Sequence, residues 1–337
     1  MNGVIIVDKP SGWTSHDVVN RMRRILGQRS VGHLGTLDPL ATGVLPLVTG
    51  SLTRLAQFYI ASEKTYEGVI RFGFATNTYD ADGEPLSEAS SASVGTADSK
   101  DFNGNLDLGT LQTLAAEFRG VIQQVPPPFS AKKIHGVPAY KLARQQKDVM
   151  LQPVEVEIKE FVITALDADR AHFRARVASG TYMRSIAHAM GQRLGCGAHL
   201  ESLRRTSVAE FDITQAHTIA SIEAQTKSRH SDPRNQTGQT QDCHSEPDAK
   251  PGNESAVPIP TADAALFIHP RQLLPQFPSV TADEATAARI RSGRPVNLPD
   301  VSRARQIKVF ASQSDLLAIA TRVAGTLFHP KIVFATE

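Results

Sequence analysis

Val4-Ile5-Ile6-Val7 is an unbroken apolar run closed by Asp8-Lys9-Pro10-Ser11-Gly12, which predicts a buried strand and a turn. Thr14 with Asp17 three residues on is a capping-box pattern. Val18, Val19, Met22, Ile25 and Leu26 then mark one face of a helix stopped by Gly27. Leu52 to Ile60 is apolar enough for a second helix. Lys64 opens a strand in which Tyr66, Ile70, Phe72 and Phe74 share one side by alternation. Asp80-Ala81-Asp82-Gly83 is a turn, and Leu108, Leu111, Leu114, Ala115 and Phe118 recur at helical spacing until Gly120. Val154, Val156 and Ile158 alternate with charged residues, as do Phe173, Ala175 and Val177, so each set predicts a half-exposed strand. The second runs into Ser179-Gly180-Thr181-Tyr182-Met183-Arg184, where a helix starts, buries Ile186, Ala187, Met190 and Leu194, and ends at Gly195. Gly195 to Arg205 reads as a glycine-bent apolar segment ending in two arginines. Near the end, Ala282 to Arg291 reads as a short helix, and runs at 307–310, 316–320 and 332–334 as strands of a small β-barrel-like unit.

Two stretches break these patterns. About residues 86–105 and again from 225 to 258, Ser, Asn, Gln, Asp, Pro and Gly displace hydrophobes, so neither stretch can bury enough surface to order itself. The first reads as a surface insertion. The second separates a large unit, 1–224, from a smaller one, 263–337, with 225–262 as a polar linker. A chain of 337 residues, 41% hydrophobic and 21% charged, has the composition of a soluble globular protein. The net charge of +2 excludes a global polycation, so any basic surface is local. Cys196 and Cys243 stand in unlike settings without a CxxC or Cys/His cluster, and neither a zinc site nor a disulfide framework is expected. The N-terminus turns directly into a strand, unlike a signal peptide, and no apolar run approaches the ~20 residues of a membrane span. A cytoplasmic protein is expected.

Candidate chemistry concentrates in Val31 to Pro46, which packs three Gly, two Pro, His33 and the lone carboxylate of Asp38 into an irregular, largely apolar loop. An ionised carboxylate buried there is costly unless it is paired. That marks Asp38 for catalysis, although an Asp before a Pro also forms structural turns that cap their own backbone. Arg21, Arg23, Arg24 and Arg29 precede the loop and suit either a solvated face or phosphate contacts. Downstream, Lys132, Lys133, His135 and Tyr140 interleave charge, aromatic and Gly after three consecutive prolines, as nucleic-acid-facing loops do. Tyr182 and Arg184 sit at a helix N-terminus, a place suited to anions.

Taken together, these segments resemble the bacterial TruB-type tRNA pseudouridine synthases. The matches run in family order over about residues 3–215. They are DKPxGxTSHDVV in Gly3 to Val19, VGHxGTLDPxATGVLP in Val31 to Pro46, Lys64 with Tyr66, PPxFSAxKxxGxPxY before Tyr140, SGTYxRS around Arg184, and LGCGAHLxxLRRT in Leu194 to Thr206. The resemblance implies an α+β fold, a mixed and largely antiparallel sheet flanked by helices, with a small β-rich PUA-like RNA-binding domain at the C-terminus. It implies Asp38 as nucleophile, Tyr66 as the aromatic that stacks on a flipped uracil, and Arg184 as the partner of Asp38. His33, Tyr182, Leu203, Lys9 and Lys133 are implied as substrate-binding residues. Two departures are Asn77, where the family carries an acid, and Leu52-Thr53-Arg54 in place of an ATK triplet.

The implied reaction converts uridine 55 in the tRNA T loop by freeing uracil from C1′ and rejoining it through C5, with no cofactor. A base held in a folded loop must be extruded first. The carboxylate must be ionised to act as nucleophile, and a guanidinium favours that form. The residues leave both C1′ and C6 open as the point of attack. A monomer acting on the T stem-loop, away from membranes, is expected. Two rivals are a non-catalytic tRNA-folding or RNA-binding protein and the subunit of a guide-dependent synthase.

Overall fold

The computed structural model describes residues 2–86, 106–130, 132–134, 137–138, 145, 151–230, 266–299 and 303–334. The insertion at about 86–105, the polar stretch from 231 and the aromatic end of the Pro-rich segment lie outside these residues.

The first apolar run forms β1 (Gly3–Lys9), and Val4 to Val7 are buried on both faces, so the run does not alternate. Thr14 caps α1 (Ser15–Ile25): its hydroxyl accepts the Asp17 N–H, and the Asp17 carboxylate accepts the Thr14 N–H. Strands β2 (Val31–His33) and β3 (Thr42–Thr49) flank the Asp38 loop. The predicted helix at Leu52 to Ile60 is a 3-10 turn at Gly50–Leu55 followed by one turn of α2 (Ala56–Tyr59). Strand β4 (Lys64–Phe72) ends before Phe74, whose ring leaves the alternation and packs on His199. Helix α3 (Leu108–Glu117) and β5 (Gly120–Gln124) follow, then the small hairpin of β6 (Lys133–Ile134) and β7 (Val137–Pro138). Strands β8 (Val154–Asp167) and β9 (Arg170–Val177) lead into α4 (Met183–Leu194), which Gly195 closes in the left-handed conformation.

The glycine-bent segment expected after Gly195 is instead a strand, β10 (Ala198–Val208), near the centre of the sheet and paired with the short β11 (Phe211–Asp212). A register shift between Leu200 and Ser202 breaks its alternation. Helix α5 (Ile219–His230) runs across residue 224, where the first unit was expected to end.

The main sheet has the order β1-β3-β10-β4-β9-β8-β5, with β2 beside β3, and among the strand pairings of the described residues only β3 with β10 is parallel. One face, including Ile70, Phe72, Phe161 and Phe173, is covered by α1, α3 and α4. Each such side chain contributes about 2 kcal/mol by leaving water. On the other face of β1 and β3, Val4, Ile6, Val44 and Val48 share a core with Leu273, Phe310, Ile319 and Phe334 from the C-terminal part. That part contains a five-stranded sheet, β12 (Ser279–Thr281), β13 (Val296–Asn297), β14 (Gln306–Phe310), β15 (Leu316–Ala324) and β16 (Leu327–Val333), with α6 (Glu284–Arg291). Far from hanging free, it is built onto the larger unit. No helix among the described residues is long and apolar enough to cross a membrane.

Candidate active site

The Asp38 loop crosses from β2 to β3 and meets the N-terminus of α4. Arg184, in the first turn of that helix, donates from Nε to Asp38 Oδ2 at 2.9 Å and from Nη2 to Asp38 Oδ1 at 3.1 Å, a bidentate pair. The same guanidinium donates to the carbonyls of Thr78 and Phe129, both at 3.1 Å, and lies 3.5 Å from Asp80 Oδ2. The Arg184 side chain is 5% exposed and that of Asp38 37%, so a fixed cation presents a carboxylate that a ligand can reach. The turn-forming role of the loop falls to its backbone, where the Asp38 carbonyl accepts the Ala41 N–H. The carboxylate pairs with Arg184 instead.

Two buried cations hold this loop. Arg205, on β10, donates from Nε to Val44 O at 2.8 Å, from Nη1 to Thr36 O at 3.1 Å and from Nη2 to Gly35 O at 3.0 Å. Its charge also acts on Tyr66 on the neighbouring strand β4. Gly43 permits the close approach of β3: its φ is +99°, and a Cβ there would sit 2.2 Å from the Arg205 carbonyl oxygen. Ser15 adds a third tie, accepting the Leu37 N–H at 2.8 Å and donating to Leu37 O at 3.1 Å.

Lys9 is the second cation, and here the structure corrects the sequence reading. Expected to face substrate, Lys9 has no exposed surface, and its Nζ donates to Pro10 O, Trp13 O and Pro39 O at 2.8, 2.6 and 3.1 Å. Its ammonium thereby ties the end of β1 to Pro39, the residue after Asp38. Burial draws the Lys9 ammonium down from 10.5 to about 8, against the pull of Asp38. Between those values the unfolded chain binds more protons than the folded one, so stability rises with pH across that window. Lys9→Met is expected to lose this rise. Urea unfolding of both proteins at pH 7.5 and 10 measures it, and Lys64, drawn down to about 8 by burial and Arg205, titrates in both and cancels. An identical pH response in the two proteins would remove the effect from Lys9.

The other expected residues separate by position. Tyr66 is buried on β4, and Arg205 acts by its charge on both Tyr66 and Asp38. Tyr182 caps α4 and is held by Gln124, whose amide accepts the Tyr182 N–H at 2.8 Å and donates to its carbonyl at 3.1 Å. Burial, then the charge of Asp38, raises the Tyr182 phenol above its usual range. His33 is half-buried, its Nδ1 accepts the Gly35 N–H at 3.3 Å, and burial followed by Arg205 lowers it toward the neutral form. Leu203 lines a cavity of about 820 Å³ with Leu40, Thr42, Glu67, Arg174 and Arg204. Asp38, Tyr66 and Arg184 do not line that cavity, which opens beside their loop along the sheet. Lys133 has its backbone in β6, paired with Pro138. Of the arginines before the loop, Arg21 pairs with Glu223, and Arg23 donates to Asn20 and to the Val31 carbonyl. These two bind protein, while Arg24 and Arg29 are exposed.

Sequence reasoning missed Arg205, Asp80 and Gln124. The first two stood in quoted motifs, but only β10 pairing and the turn after β4 reveal that one enters the core and the other meets Arg184. Burial pushes the Asp80 carboxyl up, opposed by the Thr78 hydroxyl and Arg184.

Comparison with known proteins identifies the family. Residues 23–183 match the family model of the TruB family pseudouridylate synthase N-terminal domain, and residues 184–237 match that of the tRNA pseudouridylate synthase B C-terminal domain. The tRNA pseudouridine synthase B of Solibacter usitatus (strain Ellin6076) is 44% identical over 338 residues, covering 99% of this chain and 100% of its own. That of Opitutus terrae (strain DSM 11246 / JCM 15787 / PB90-1) is 42% identical over 224 residues, 66% of this chain and 88% of its own. A solved Cbf5-Nop10-Gar1 complex contains a chain with a TM-score of 0.64 and 21% identity, covering 99% of this chain and 85% of that one, which shows a shared fold. The chain belongs to the TruB family of tRNA pseudouridylate synthases and is an isomerase that makes pseudouridine.

Proposed function

We propose that the substrate is uridine 55 in the T loop of tRNA, that the base is flipped into the site, and that Asp38 is the nucleophile. The bidentate Arg184–Asp38 pair carries this reading: a carboxylate reachable by substrate, held in one orientation by an arginine that is itself almost wholly buried. A guanidinium fork fixes both oxygens at once, which an ammonium does not. Asp38 bonds to the nucleotide, at C1′ or at C6, and the N-glycosidic bond breaks. Uracil turns while held against Tyr66. C5 bonds to C1′ as the bond to Asp38 is released, and C5 loses its proton as N1 regains one. Exclusion of water keeps the detached base from escaping during the turn. His33, Tyr182 and Leu203 would contact the nucleotide, and Lys133 the RNA backbone. The C-terminal sheet suits the PUA-like RNA-binding role, and on this reading the protein works as a cytoplasmic monomer.

The deciding experiment uses the purified chain alone on an unmodified T-arm stem-loop. Turnover is the expected result. Binding without turnover would favour the non-catalytic RNA-folding reading, and turnover only with a guide RNA and partner proteins would favour the guide-dependent one.

A further inference from the structure

Next to the Asp38–Arg184 pair, the turn after β4 holds a conformation that its residue type disfavours. Tyr79 has a φ of +66°, in the left-handed region where a bulky side chain is strained. Its ring lies flat on the His188 imidazole, with centroids 3.7 Å apart and planes 8° from parallel. His188 stands on α4 one turn beyond Arg184, and its Nδ1 is buried without a hydrogen-bond partner among the described residues. Packing alone gives no reason for either cost. Glycine would relieve the backbone at 79, and an aliphatic side chain would remove the unpartnered nitrogen at 188.

The same turn supplies two acceptors to Arg184, the Thr78 carbonyl at 3.1 Å and the Asp80 carboxylate at 3.5 Å. Its interior is tied by the Thr76 hydroxyl to Asp80 O and the Thr78 hydroxyl to Asp80 Oδ1, each at 2.6 Å. One side is stitched to β10, where Leu200 N–H donates to Tyr79 O and Ala81 N–H to Leu200 O, both at 3.0 Å. The side facing α4 is tied by Arg184 and by the ring stack.

We propose that Tyr79 and His188 form a positioning pair for Arg184, clamping the 76–80 turn to α4 so that its two acceptors hold the guanidinium square to Asp38. The proposal rests on the reading of Asp38 as the reacting carboxylate. Burial draws His188 down to about 4, so two neutral rings stack at neutral pH. Neither ring touches substrate in this scheme. They act through Arg184.

Tyr79→Gly tests the pair directly, because glycine accepts the positive φ while the ring is lost. With a misplaced guanidinium, kcat on the stem-loop is expected to fall about 10–100-fold, the scale set by small displacements of a catalytic group. KM and the melting temperature should stay close to those of the parent. Tyr79→Phe and His188→Phe keep a ring in place and should restore most of kcat. His188→Ala should match Tyr79→Gly, and the double variant should lose no more than either single one, as expected for one shared interaction. Full kcat in Tyr79→Gly, or a loss confined to KM, would overturn the proposal. If Tyr79→Gly does not fold, His188→Ala decides by the same criteria. Turnover surviving in Asp38→Asn would instead overturn the underlying assignment, so the two failures are distinguishable.

Discussion

Asp38→Asn is expected to abolish pseudouridine formation, with kcat falling by at least about 10⁴-fold, the scale seen when a nucleophile is removed from an intact site. The substitution keeps size and shape while removing charge and nucleophilicity. Folding should survive, because Arg184 keeps the carbonyls of Thr78 and Phe129 and the carboxylate of Asp80. The loop should survive too, since Arg205, Lys9 and Ser15 hold its backbone rather than the Asp38 side chain. RNA affinity is therefore expected to stay near that of the parent. Single-turnover assays with labelled stem-loop, paired with a filter-binding titration, separate the two effects. Measurable product from the Asn enzyme would sink the nucleophile assignment.

Arg184→Lys is expected to lower kcat about 10²–10³-fold, comparable to removing one preorganised donor from a developing charge. Arg184 makes two bonds to Asp38 and two to backbone carbonyls from one rigid plane. An ammonium has three donors on a flexible stem and cannot satisfy four acceptors arranged for a fork. Arg184→Ala should do more, because it leaves Asp38 and the buried Asp80 facing each other without a cation. Breaking such a pair typically costs about 3–5 kcal/mol of stability. Thermal melts beside kcat at saturating RNA give the comparison. Parent-like kcat in the Lys enzyme would mean that charge alone suffices and that the fork geometry is idle.

Local elements were legible where one physical signal dominated. The Thr14–Asp17 box, the alternation along β9 and the glycine stop after Leu194 all reappear at their predicted places. Strand β10 was illegible because a bulge spoils its period and because Arg205, a charged residue, occupies a core position. Lys9 misled for a related reason. A lysine beside a turn ordinarily seeks water, yet three backbone carbonyls replace that water here. Arg21 and Arg23 suited phosphate contacts as well as a solvated face only while Glu223 and Val31 were unseen beside them.

By itself, the sequence determined which loop carries the candidate carboxylate, which helix start carries the arginine that pairs with it and which family the motifs resemble, because each depends on residues close together in the chain. Tertiary structure decided what holds that loop in place. Arg205 lies far along the chain from Gly35, Thr36 and Val44, and Asp80 lies far from Arg184 too. Their partnerships arise only when β10 is laid parallel to β3 and the turn after β4 is packed on α4. A backbone carbonyl leaves no mark in a residue code, so a side chain that serves carbonyls can be recognised only once the chain has folded around it.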